Sequence, residues 1–127
     1  MIRNEPVGPA AIALTRRALS DIREIERYSI AQWGRKTTSK YLDEIEAALD
    51  RLSENPALLR RQPEFAPGLC FYRIRSHFLV CDFRQRSIVV LAVIHSSMDL
   101  PSRLSELLPD IAAEVTFLHN KLGGRTP

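Results

Sequence analysis

Cysteine is nearly missing from this sequence: Cys70 and Cys81 are the only two in 127 residues. So small a number excludes a disulfide-stapled scaffold and fits free thiols in a reducing, cytoplasmic setting. Glycine is also scarce, at five residues. No glycine-rich phosphate loop and no nucleophile elbow can be read from them. No cluster with metal-ligand spacing occurs, so neither a metal nor a cofactor is expected. Long apolar runs are absent too. "IVVLAVI" (88–94) is seven residues, far short of the roughly eighteen that span a bilayer. A membrane partner is therefore not expected. The opening "MIRNEPVGPAAIAL" lacks a long apolar stretch with a small-residue cleavage site, so no secretory signal is expected.

What is present suits one globular domain over 1–127, with 45% hydrophobic and 26% charged residues. The net charge of +3 is unevenly placed. Residues 60–86 carry six arginines (60, 61, 73, 75, 84 and 86) against Glu64 and Asp82. This surplus suits a nucleic-acid phosphate or an acidic protein partner, or else a charged sheet edge kept from aggregating.

"AAIALT" (10–15) predicts a strand ending in a helix-capping threonine. Apolar residues at 19, 22, 25 and 30 predict an amphipathic helix over 16–33, ended by Gly34. Tyr41, Leu42, Ile45, Ala48, Leu49 and Leu52 predict a second helix over 37–53, antiparallel to the first. Prolines 56, 63 and 67 with Gly68 make 54–68 largely loop. Three strands follow, "LCFYRIR" (69–75), "HFLVCDF" (77–83) and "IVVLAVIH" (88–95), joined by tight turns at Arg75–Ser76 and Gln85–Arg86. The expected class is α+β: a βααβββ order with an antiparallel sheet packed on an N-terminal helical hairpin.

Those turns pair Ile74 with His77, Tyr72 with Leu79, Cys70 with Cys81 and Phe83 with Ile88. Strict alternation then places Cys70, Tyr72, Ile74, Leu79, Cys81, Phe83, Ile88, Val90, Ala92 and Ile94 on one face. Phe71, Phe78, Val80, Val89, Leu91 and Val93 share the other with Arg73, Arg75, Asp82 and Arg84. Both faces are substantially apolar, so the second needs a cover. The candidate lies in a helical extension over about 102–122. There Leu104, Leu107, Leu108, Ile111, Val115, Leu118 and Leu122 form an apolar stripe closed by Gly123-Gly124. Pro109 should divide it into two in-phase helices. The stripe is expected to cover the chain's own sheet, with a homodimer through this C-terminal helix as the alternative.

"HSSMDL" (95–100) sets a histidine, two serines and an aspartate side by side. A catalytic triad draws its members from separate segments, and five adjacent residues leaving a strand do not converge on one atom. The preferred reading is that His95 and Asp99 hydrogen-bond the chain as it leaves the sheet.

Taken in order, "LTRRALSDIREIERYSIAQWG", "YLDEIEAALDRLSENP", "PGLCFYRIRSHFLVCDF" and "VLAVIHSSMDLPSRL" resemble the RelE/ParE superfamily of bacterial toxins, closest to its ParE branch. The likeness runs over about 10–104. It rests on Leu14-Thr15, Trp33-Gly34, Tyr41-Leu42, Asn55-Pro56, Pro67-Gly68-Leu69, His77, and His95 with Met98-Asp99-Leu100. Ser97 stands where the family often carries a basic residue.

The resemblance implies a toxin of a type II toxin–antitoxin system, of the kind tied to plasmid stabilization and growth arrest. It implies inhibition of DNA gyrase by protein binding rather than catalysis, and neutralisation by a ParD-like antitoxin with an acidic tail. Arg73, Arg75, Arg84, Arg86, His95, Met98 and Asp99 are the expected contacts with target or antitoxin; no catalytic residue is expected. The alternative is a RelE-like endonuclease cutting mRNA on the ribosome. Arg73 and Arg75 match basic positions of such enzymes, but Phe78 stands at a third, and the basic cluster with a tyrosine after the last strand is missing. An arginine is also a poor proton acceptor at neutral pH. A non-toxic interaction module is the third reading.

Overall fold

The computed structural model describes residues 9–123. The expectations about the start of the chain (1–8) and about Gly124 fall outside the described residues. In chain order the elements are β1 (Ala11–Leu14), α1 (Arg16–Glu54), a 3-10 turn (Pro56–Leu58), β2 (Arg60–Arg61), β3 (Leu69–Ile74), β4 (His77–Arg84), β5 (Ser87–His95) and α2 (Leu100–Gly123).

Thr15 caps α1, its hydroxyl accepting from the Ala18 N–H at 3.0 Å. Gly34 divides α1 into two arms with φ 87° and ψ 173°, a conformation that a side chain would oppose. The second arm returns beside the start of the first: Ser53 Oγ donates to the Ala10 carbonyl, and Ala10 N–H donates to the Ser53 carbonyl. Ile45, Ala48 and Leu52 of that arm are buried on the sheet.

The α+β class and the βααβββ order stand, on a sheet ordered β1-β5-β4-β3-β2. The sheet is mixed, because β1 joins β5 in parallel while the other pairs are antiparallel. A two-residue strand, Arg60–Arg61, also forms within the expected loop and pairs with β3. So short and so charged an edge is poorly suited to recruit another strand. Both tight turns fall where expected, and Cys70 pairs with Cys81 as free, buried thiols. Arg75 and Gln85 open the turns at φ 51° and 52°.

One expectation fails halfway along β5. Val80 pairs with Ala92 while Cys81 pairs with Val90, leaving Leu91 as an extra residue. This bulge reverses the alternation beyond it. Val93 therefore faces the hairpin, and Ala92 and Ile94 face the opposite side, the reverse of strict alternation. Polar groups of the first arm hold the bulge where β1 has ended. The Thr15 hydroxyl donates to the Leu91 carbonyl at 2.8 Å, and the Val93 N–H donates to the Asp21 carboxylate at 2.9 Å.

Helix α2 covers the second face of its own sheet. Leu104, Leu107, Ile111 and Val115 are buried there with Leu69, Phe71, Val80, Val89, Leu91, Ala92 and Ile94. The expected break at Pro109 does not occur, and the helix runs through it. Proline removes one backbone bond and costs about 3 kcal/mol in a helix interior. Apolar side chains in phase on both sides, worth ~1.5–3 kcal/mol each when fully buried, outweigh that.

A buried polar chain fastens α2 near its far end. His119 Nε2 meets Asp82 Oδ2 at 3.1 Å, and His119 Nδ1 meets Ser87 Oγ at 2.6 Å. Arg84 Nε also reaches Asp82 Oδ2, at 2.7 Å. With Nε2–H donating to the carboxylate, Nδ1 is the acceptor toward the serine hydroxyl, which the Arg84 carbonyl also approaches at 3.2 Å. Burial holds the His119 pKa below the ordinary histidine value, although Asp82 pulls the other way. Gly68 permits the carboxylate's position, since a Cβ there would lie 2.5 Å from Asp82 Oδ1.

Candidate functional site: a cleft at the open end of the helical hairpin

The two arms of α1 pack on the sheet near Thr15 and Ser53 but enclose a cleft of about 850 Å³ toward Gly34. Ile25, Tyr28 and Trp33 line it from the first arm, Lys40, Tyr41 and Glu44 from the second, and Arg75, His77 and His95 from the sheet. Tyr28 and Trp33 meet edge to face at 5.8 Å, and each is 60% exposed. Exposed aromatic pairs beside a cavity are characteristic of surfaces that anchor a protein partner.

The sheet end of the cleft is tightly hydrogen-bonded. Tyr41 Oη donates to the Ile74 carbonyl at 3.1 Å and meets His77 Nδ1 at 2.7 Å. The rings of His77 and His95 stand edge to face, 5.1 Å apart. His95 Nδ1 accepts from the Ser97 backbone N–H at 3.1 Å. Its proton in the neutral form therefore resides on Nε2. Burial, then the neighbouring His95, lower the His77 pKa, and burial raises that of Tyr41. Arg75 grips Glu44 with two nitrogens, at 2.6 and 2.8 Å. That pair holds the Glu44 carboxyl below and the Arg75 guanidinium above their ordinary values.

The seven residues singled out in the sequence do not form one patch. Arg75 and His95 line the cleft. Arg73 stands on the opposite face of the sheet from the cleft, bonded to the Arg75 carbonyl at 2.6 Å and stacked 5.4 Å above the ring of Phe78, which packs with the α2 side. Arg84 and Arg86 sit at the opposite end of β4, roughly 25 Å away by strand rise; Arg84 binds Asp82 and Arg86 binds the Pro9 carbonyl. Met98 is exposed, with its sulfur against Arg103. Asp99 opens α2, its carboxylate accepting from the Ser102 hydroxyl and its carbonyl from the Arg103 N–H.

Tyr28, Trp33, Tyr41 and His77 shape the cleft more than most of the seven. Trp33 and Tyr41 flank Gly34, and a bend there brings their helix segments near one another, which is the signal that could have found them. A serine, a histidine and an aspartate do converge in this protein, but as Ser87, His119 and Asp82. All three are buried where α2 meets the sheet, and there they fasten a helix rather than face a substrate.

Comparison with known proteins places this hairpin-and-sheet core. The family model described as "ParE toxin of type II toxin-antitoxin system, parDE" matches residues 12–100. The chain belongs to the ParE toxin family. It is 31% identical over 99 residues to Toxin ParE of Escherichia coli, covering 77% of this chain and 96% of that one. It is 26% identical to Toxin ParE1 of Caulobacter vibrioides, covering 72% and 94%. Among solved structures, the chromosomal ParDE system of P. aeruginosa aligns with a TM-score of 0.59 at 16% identity, over 68% of this chain and 95% of that one. A chain of the RelBE2 toxin–antitoxin complex of Mycobacterium tuberculosis aligns at 0.52 and 18% identity, over 72% and 97%. Both likenesses are of fold. The α1 arms, the cleft and β3–β5 lie inside the ParE match, and nearly all of α2 lies beyond it. The protein is thus a ParE-type toxin of a type II toxin–antitoxin system carrying a C-terminal helix outside the matched region.

Proposed function

We propose that this ParE-type toxin acts by protein binding, with DNA gyrase as its target, and that a ParD-like antitoxin neutralises it in the cytoplasm. Membership of the ParE family carries the reading. The cleft supports it, because exposed aromatics, a polar floor and an arm-to-arm gap suit capture of a protein segment. Arg73, Arg75, His95, Met98 and Asp99 lie at or near this end and are the proposed contacts. Arg84 and Arg86 would belong to a second contact region at the far end of the sheet.

The RelE-like alternative keeps some support from the fold shared with RelBE2 and from Arg73 beside Arg75. Against it, α2 covers most of the second sheet face and Phe78 carries no charge. Induction without the antitoxin, followed by parallel assays of gyrase-dependent DNA breaks and ribosome-associated mRNA cuts, separates the two. DNA breaks with intact mRNA are expected. Site-specific mRNA cuts with intact DNA would transfer the assignment to the nuclease.

A further inference from the structure

The sheet end of the cleft carries an unused pair of ring nitrogens. His77 Nδ1 is held by Tyr41 and His95 Nδ1 by Ser97, in each case leaving Nε2 without a partner among the described residues. The two rings are in edge-to-face contact at the cavity wall. Because Tyr41 spends its hydroxyl proton on the Ile74 carbonyl, His77 Nδ1–H donates to the tyrosine oxygen. Neutral His77 then presents Nε2 as an acceptor, while neutral His95 presents Nε2–H as a donor. That tautomer also makes His95 a poor metal ligand, since a metal would need the nitrogen that carries the proton.

We propose that His77 and His95 form a carboxylate subsite at the sheet end of the cleft, and that His77 takes up one proton when the carboxylate binds. The neutral pair offers one donor and one acceptor, which does not match the two acceptor oxygens of a carboxylate. Protonation at His77 Nε2 converts the acceptor to a donor, so both nitrogens donate and the imidazolium charge is balanced.

The surrounding charges are compatible with this. Glu44 is neutralised by Arg75, whose Nη1 remains without a partner among the described residues. Tyr41 and Ser76 are uncharged, Lys40 favours an anion, and Glu24 and Asp43 on the two arms oppose one. The lining is thus one charge negative overall, which disfavours a polyanion laid along the arms and leaves the sheet end, at His77, His95 and Arg75 Nη1, as the place to hold one carboxylate. An acidic side chain of a protein segment, with apolar neighbours on Ile25, Tyr28 and Trp33, matches that chemistry. The proposal rests on the protein-binding reading only for the source of the carboxylate.

Acetate serves as the probe, with the purified full-length chain carrying isotope-labelled histidine. Histidine ring signals are followed through a pH titration in chloride, in acetate and in acetamide at matched ionic strength. His119, buried with Asp82 on the other side of the sheet, is an internal reference in the same sample. Acetate is expected to raise the His77 pKa by about 0.5–1 unit and leave His119 unmoved, with acetamide doing neither. His95→Phe should abolish the acetate response at His77, while an unchanged His119 signal reports an intact fold. Equal shifts at all three histidines, or none at His77 in acetate, would overturn the subsite. Either result would leave the gyrase and mRNA assays to judge the proposed target independently.

Discussion

The two faces of the sheet are covered by helices in opposite ways. Helix α2 closes most of its face along the stripe from Leu104 to Val115 and adds a buried histidine chain at the far end. The hairpin closes its face only near Thr15 and Ser53 and opens into an aromatic-lined cleft toward Gly34. One cover spends its apolar residues inside the chain, and the other leaves Tyr28 and Trp33 in water. Exposed aromatics gain nothing for the free molecule, so the open side is where a partner's surface has something to bury. The sheet residues of the closed side lie within the ParE match, but the helix that covers them lies almost wholly beyond it, so α2 is a layer added outside the matched region.

The sharpest challenge to that contrast is Leu104→Ala. Leu104 is 1% exposed at the start of the stripe on the sealed face, and the substitution should cost about 2–5 kcal/mol. Chemical denaturation measures this directly; a loss below about 1 kcal/mol would mean that α2 rests loosely on the sheet. Thr15→Ala removes both the α1 cap and the donor to the Leu91 carbonyl. An expected loss of about 1–3 kcal/mol, read the same way, would place part of the hairpin's hold at the β5 bulge.

A pH series sharpens the comparison next. The folded-state pKa of His119 lies below its unfolded value, so the unfolded chain binds more protons as the solution is acidified. Stability should therefore fall as pH drops from about 6.5 toward the lower folded pKa. His77, lowered for the same main reason, contributes slope of the same sign. His119→Leu should flatten the profile in part and leave the His77 portion; an unchanged profile would detach the buried histidine from the closure of α2.

The smallest effects concern exposed positions. Gln85 holds φ 52° in a turn, so Gln85→Gly should raise stability by roughly 0.5–1 kcal/mol by releasing a left-handed conformation. Trp33→Ala should change stability by no more than about 0.5 kcal/mol while weakening antitoxin binding at least tenfold. If Trp33→Ala destabilises the free chain as strongly as Leu104→Ala, the open and sealed faces are not different in kind.

Local chemistry made much of this fold legible. Thr15 before an apolar-periodic run, Gly34 between two such runs, and turns at Arg75–Ser76 and Gln85–Arg86 are short-range signals, and each lies where the sequence puts it. The leucine stripe likewise required a cover for an apolar sheet face, and α2 supplies it. The β5 bulge was not legible, because "VVLAVI" is apolar at every position and carries no glycine or proline to mark an extra residue. What selects it is the meeting of Thr15 and Asp21 with backbone groups more than seventy residues away.

The candidate site divides in the same way. His95, Arg75 and the Met98-Asp99 exit could be singled out from sequence, but their separation from Arg84 and Arg86 depends on strand direction. Tyr41 against His77, and His119 between Asp82 and Ser87, join residues more than thirty positions apart. The sequence by itself determined the α+β class, the turns, the cysteine pairing and the likeness to ParE toxins, because periodicity, capping and turn chemistry act within a few residues. Tertiary structure alone decided which face each β5 residue serves, that α2 runs unbroken through Pro109, and that His77 and His95 at the cleft wall keep Nε2 without a partner among the described residues. Each of those outcomes is set by burial and hydrogen bonding between segments that are distant along the chain.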